Sequence, residues 1–320
     1  MEKNEKKEFV FYYESRQNPN GDPGFDNQPR KQLDDTILVT DVRVKRTMRD
    51  YAKLQKETIF VDYDKEGQHT TADKRAIEII GGDKKEKSGW YLELLKKTFD
   101  VPLFGCLVTV RNRNNEKEDS EDKKGDSVKI TGPVQFAIGR SINKVNIINP
   151  QISSIFVGDE KKGKNGTFGT FYSVEYALIK TYGAINPENL GNYLDNGFEY
   201  FNKAEGKFFN YLWNGTNQLV TRSKYPQRSI FFISVTYEKS LYNDLNELII
   251  ENKDMKEKTD IKEIIKPLFD FSKLIDTLKL RKDKIKRIEI ASCDELIDEA
   301  DKLKNELEKS MGSKVKIINT

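Results

Sequence analysis

Between a strand-like run and the most regular helical stretch lies a segment of fourteen residues that no regular element can absorb. Residues 17–30 read Gln-Asn-Pro-Asn-Gly-Asp-Pro-Gly-Phe-Asp-Asn-Gln-Pro-Arg, with three Pro, two Gly and three Asn. Proline lacks the N–H that a helix interior or a central strand requires. The segment must be a long structured loop, and such loops inside compact domains are functional or disordered. Before it, residues 8–14 are aromatic and β-branched between charges, which predicts a strand. After it, residues 41–55 form the best-defined helix, capped by Thr40 or Asp41. On a 3.6-residue wheel Val44, Met48, Tyr51 and Ala52 share one side, while Lys45, Arg46, Arg49 and Lys53 fall within an arc of about 100° on another.

Further along, residues 58–63 read as a possible strand, 71–80 and 90–99 as helices, and 102–110 as a buried strand. Residues 130–145 predict a strand forming a hairpin with 103–110. Between them, residues 111–129 carry six basic and six acidic side chains, net zero, so they read as a solvated loop. An excursion at 146–170 has a lysine-rich tip at Lys161, Lys162 and Lys164. Residues 170–182 are strand-like. Asn186-Pro187-Glu188 starts a helix reaching about residue 213 and broken near Gly197 or Gly206, and 214–218 read as a turn. Residues 229–237 are a strand. Beyond 240 the pattern is helical and charge-rich, with strands at 284–290 and 314–318 around a helix at 294–310. The order of elements suggests β-α-β-β-α-β, a ferredoxin-like α+β sheet with helices on one face and large insertions.

Composition narrows the chemistry. With 320 residues the chain holds about two folding units, or one domain with large insertions. Its 55 Lys and Arg nearly cancel 52 Asp and Glu, so any basic surface must come from segregation of charge. The single His69 excludes a multi-histidine zinc site and sits in a polar, loop-like stretch. Two distant cysteines, Cys106 and Cys293, argue against a disulfide framework and for a reducing, cytoplasmic compartment. No apolar run is long enough for a membrane span, and the charged N-terminus lacks a signal-peptide core. Glycine-rich nucleotide motifs and the RRM aromatic octapeptide are absent, and no cofactor is expected.

Two features carry functional chemistry. The cationic stripe offers ammonium and guanidinium groups to phosphates, with only Asp50 and Glu57 close by in sequence; a solvated face paired with local acids is the plainer alternative. The 18–30 loop offers amides, backbone N–H groups and Arg30 for a nucleic-acid backbone. It also carries Asp22 and Asp26, with Asp34 and Asp35 following, which could hold a divalent cation, or it could be a structural turn.

These residues resemble a known family. Asn18-Pro-Asn-Gly-Asp-Pro, running on through Asn27-Gln-Pro-Arg30, resembles the N-P-N-G-D-P…N-x-P-R loop of the backbone subunits of type I CRISPR Cascade complexes. Thr40-Asp-Val-Arg-Val-Lys-Arg-Thr-Met-Arg-Asp-Tyr51 is similar to their following helix. Phe104-Gly and Gly132-Pro-Val-Gln-Phe-Ala-Ile-Gly-Arg-Ser-Ile142 resemble their F-G…G-P-V-Q…R-S-I segment. Trp213-Asn-Gly-Thr-Asn and Thr221-Arg-Ser-Lys224 look closest to the type I-B branch. The resemblance, in order from about residue 8 to 237, implies an RRM-like palm at 1–55, 101–145 and 170–240. It implies a finger at 56–100, a thumb at 146–170 and an extension at 241–320. Copies of such a subunit line up along guide RNA with other Cascade subunits, kink it at intervals and leave it free to pair with target DNA; the subunit is a scaffold, not an enzyme. The resemblance assigns RNA binding first to Lys45 and Arg49, then to Arg46 and Lys53. Asn18, Asn20, Gly21, Arg30, Arg140, Arg222 and Lys224 join them, with Lys161, Lys162 and Lys164 on the thumb. The alternative is a metal-dependent ribonuclease of the type III kind using Asp22 or Asp26.

Overall fold

The computed structural model describes residues 1–82, 87–110, 126–153, 168–259 and 263–318. The chain opens with β1 (Lys6–Ser15). Three short strands, β2 (Gly21–Asp22), β3 (Gln28–Lys31) and β4 (Ile37–Val39), lead into α1 (Asp41–Leu54). Next come α2 (Ala72–Ile80), α3 (Lys87–Lys97), α4 (Asp100–Phe104) and a ribbon of β5 (Gly105–Val110) and β6 (Asp126–Thr131). β7 (Val134–Phe136), β8 (Gly139–Ser141) and β9 (Ala177–Ile185) precede α5 (Leu194–Glu205), α6 (Phe208–Asn217) and β10 (Gln227–Tyr237). The last part adds α7 (Ser272–Leu280), β11 (Ile285–Ser292), α8 (Ile297–Met311) and β12 (Val315–Ile317).

One mixed sheet organises the molecule, in the order β12-β11-β10-β1-β9-β8-β4-β3-β2, with β7 also pairing β9. β1 runs antiparallel to both β9 and β10, placing Phe11 opposite Thr181 and Phe232. All ten residues of β1 are buried. A strand buried on both faces must be covered twice, because its side chains alternate between faces. Phe9, Phe11 and Tyr13 join α1, α5 and α6 in one core, and Val10 and Tyr12 join α7 and α8 in another. Helices therefore cover both faces, where the sequence pattern predicted one. The second layer comes from residues 241–320, which also extend the sheet with β11 and β12.

Other expectations change for local reasons. Residues 58–63 form no strand; their backbone is held by Asp100, which accepts from the N–H groups of Phe60 and Val61. The run at 130–145 is divided, and β5 pairs only with β6, apart from the main sheet. Where the two chain segments cross, a Cβ at Gly132 would stand 2.1 Å from the carbonyl carbon of Phe104, and one at Gly105 2.1 Å from the Ile130 oxygen. Both glycines of the F-G…G-P motif thus serve close backbone approach. Residues 214–217, read as a turn, are the end of α6, where Gly215 admits Tyr51 of α1 at 3.1 Å from its ideal Cβ. The helix expected over 186–213 starts as a 3-10 turn at Pro187–Tyr193 and breaks between α5 and α6, at Gly206. No described helix is long and apolar enough to cross a membrane. The thumb lysines Lys161, Lys162 and Lys164, and most of the charged loop at 111–129, lie outside the described residues.

Candidate nucleic-acid interface

The proline-rich loop is folded by its own amides. Asn18 Nδ2 donates to the Asn27 carbonyl at 2.6 Å, and Asp26 and Asn27 take left-handed backbone angles, φ 49° and 57°. A Cβ at Gly21 would lie 2.6 Å from the Asn27 oxygen, so the loop closes only around glycine. Asn20 ties the loop to α1: its Oδ1 accepts from both the backbone N–H and the hydroxyl of Thr40, each at 2.8 Å. Thr40 in turn caps α1. Replacing Asn20 with alanine removes both bonds and is expected to destabilise the fold by about 1–2 kcal/mol. Urea denaturation tests this, and an unchanged midpoint would mean that the loop is anchored elsewhere.

Asp22 caps the turn that follows, accepting from Gly24 N–H, and forms an ion pair with Arg30 at 2.9 Å. Arg30, Leu38, Arg140 and Lys180 sit directly opposite one another across β3, β4, β8 and β9. Opposed residues share a sheet face, and Lys180 is opposite Tyr12, so Arg30 and Arg140 lie on the face away from α1. Arg140 is exposed and approaches Asp34 at 3.4 Å.

The cationic stripe of α1 is not a free surface. Lys45 pairs with Asp41 at 2.9 Å and is largely buried beside Phe104. Arg46 contacts Asp50 at 2.6 Å and Asp62 at 3.6 Å. Lys53 contacts Asp62 at 2.6 Å. Arg49 donates from Nε to Asp100 at 2.7 Å; its side chain is 8% exposed and that of Asp100 0%. Glu57, one of the two acids near the stripe in sequence, is instead engaged by Lys207 and Tyr211. The partners of Arg49 and Lys53 come from outside α1, which a helical wheel does not contain. Burial works to raise the Asp62 carboxyl, but the hydrogen bonds from Lys53 and the Tyr63 backbone, with the Lys53 and Arg46 charges, hold it below its ordinary value.

The loop, α1 and residues 222–224 meet instead at a cleft of about 420 Å³ lined by Asn18, Asn20, Gly21, Arg43, Phe171 and Lys224, among others. Lys224 Nζ donates to the Asn18 carbonyl at 2.6 Å. Arg43 reaches Thr47 Oγ1 at 2.9 Å and lies 3.8 Å from Asp50. Burial pulls the Arg43 guanidinium below its ordinary value, against the opposing charge of Asp50. The Arg222 guanidinium lies 5.8 Å from the centre of the Phe171 ring. Asn18 Oδ1 is buried without a hydrogen-bond partner. The cleft thus offers two cations, amides and an aromatic ring, a combination suited to a phosphate with a base beside it.

Of the sequence candidates, the structure brings Asn18, Asn20, Gly21 and Lys224 to this cleft, with Arg222 at its Phe171 wall. It puts Arg30 and Arg140 on the far sheet face and Arg49 in the interior. Arg43 was missed because it lies outside the arc of the stripe, about 60° round the helix from Arg46 at 3.6 residues per turn. Its position in the first turn, directly after the cap bonded to the loop, was the available signal.

Residues 5–272 match the family model described as CRISPR-associated protein Cas7. A protein of Haloferax volcanii named CRISPR-associated protein Cas7 is 27% identical over 302 residues, covering 88% of this chain and 85% of that protein. A solved chain of a CRISPR RNA-guided surveillance complex superposes with a TM-score of 0.49 at 10% identity, over 91% of this chain and 89% of the other. A second, from a pre-nicking form, gives 0.49 and 10%, over 90% and 92%.

Proposed function

The chain belongs to the CRISPR-associated protein Cas7 family, and from that membership we propose that it is a backbone subunit of a type I surveillance complex, polymerising along guide RNA. The observation that carries the reading is the convergence of Arg43, Lys224 and the Asn18 amide at one cleft beside α1. Phosphate contacts fix the RNA while its bases remain available for pairing with target DNA. Other copies of the chain and other subunits complete the assembly. The order β10-β1-β9 with β7 and β8, and crossovers through α1 and through α5 and α6, supports a ferredoxin-like palm. In this reading residues 56–100 are a finger and 146–170 a thumb, whose lysines Lys161, Lys162 and Lys164 meet the RNA on the next copy.

The subunit acts as a scaffold. Of the two aspartates a nuclease reading could use, Asp22 is engaged by Arg30 and the Gly24 N–H, and Asp26 lines the cleft beside Arg43 and Lys224. Purification with the cognate repeat array tests the function directly: the A260/A280 ratio is raised, and the extracted RNA has repeat-derived ends. Protein free of nucleic acid under those conditions would overturn guide binding by this chain alone.

RNA reaching Arg46 and Lys53 must compete with Asp62. Asp62→Asn is therefore expected to tighten RNA binding several-fold and to steepen its salt dependence by about one counterion. Filter binding across a salt series checks this; an unchanged slope removes Lys53 and Arg46 from the interface.

A further inference from the structure

The cleft holds two cations of different kinds, and their setting has a consequence for binding. Lys224 Nζ is bonded to a neutral carbonyl, that of Asn18. Among the described residues no carboxylate forms an ion pair with it. The charged and titratable groups lining the cleft with it are Arg43 from α1, Asp26 and Tyr172, with Asp50 held to Arg43 and Arg222 on the same loop turned to the Phe171 ring. An ammonium that is half-buried beside a guanidinium is destabilised by lost hydration and by like charge. A phosphate between the two cations offsets both effects, because its opposite charge favours the charged amine.

We propose that a backbone phosphate enters this cleft together with a proton taken up by Lys224, so that the grip on nucleic acid weakens as the solution becomes alkaline. The inference rests on the reading of the cleft as the phosphate site. Burial first, and then the Arg43 charge, bring the Lys224 amine down to about 8. Below that value the free protein already carries the charge, and binding needs no proton. Above it the free amine is neutral, and binding must supply one. If the bound amine stays charged, affinity falls about tenfold from pH 7 to pH 9 for each site, because each unit above the free value costs a factor of ten. The ordinary lysines, titrating near 10.4, stay charged over that range.

Isothermal titration of the full chain with oligoadenylate, whose bases carry no proton titrating there, measures this directly. Two buffers of different ionisation enthalpy at each pH give the proton count. The expected result is about half a proton per site at pH 8, rising towards one at pH 9, with the affinity loss above. Lys224→Arg, which keeps its charge, abolishes uptake and flattens the pH profile of the binding it retains. Tight binding by the parent with no uptake at pH 8 overturns the inference and leaves the phosphate cleft standing. Undiminished binding by Arg43→Glu and Lys224→Glu overturns the cleft reading and this inference with it.

Discussion

Replacing Asp100 with alanine is expected to destabilise the protein by about 3–5 kcal/mol. The carboxylate is fully buried and accepts from Arg49 Nε at 2.7 Å, Phe60 N–H at 2.8 Å and Val61 N–H at 3.1 Å. Its loss strands a guanidinium in the interior and leaves two backbone donors without acceptors, each costing more than the net worth of the bond removed. A domain holds only roughly 5–15 kcal/mol in total, so the variant approaches the unfolding threshold. The urea midpoint should fall at unchanged slope. Arg49→Met combined with Asp100→Ala should recover part of the loss, because the unpaired charge is gone. A shift below about 1 kcal/mol for Asp100→Ala would mean that water replaces the carboxylate and that the site is open.

The second large effect is on binding. Arg43→Glu with Lys224→Glu is expected to weaken RNA binding by at least about 100-fold, roughly 3 kcal/mol, while the circular dichroism spectrum stays that of the parent. The slope of affinity against salt should fall by about two counterions. Lys45→Glu with Arg49→Glu makes an instructive contrast. Arg49 is in the core, so any loss of RNA binding there should track loss of folding rather than loss of a phosphate contact. If that pair alone abolishes binding in a folded protein, α1 opens on RNA in a way the free chain does not display.

Much of this was legible in residue order. The aromatic and β-branched run of residues 8–14, bounded by charge, predicted β1, and Thr40 or Asp41 as a cap with the apolar side of 41–55 predicted α1. The proline spacing predicted the loop between them. Those signals are local: strand and helix periods and turn chemistry depend on neighbours a few residues apart. The turn expected at 214–218 failed because Gly215 reads as a helix breaker in isolation, whereas packing against Tyr51 makes its missing side chain an asset. The division of 130–145 and the second helical layer depend on which strands find partners and on both faces of β1 needing cover.

The candidate site divides in the same way. Residue order was enough for the loop, the capped helix beside it, the supply of cations and the resemblance to the family. Which cations are available depends on packing between elements. Asp62 and Asp100 reach the α1 stripe from outside the helix, and Lys224 reaches Asn18 across 206 positions. A charge is neutralised by whatever lies within a few ångströms, and that distance is set by packing between elements, which no local period encodes.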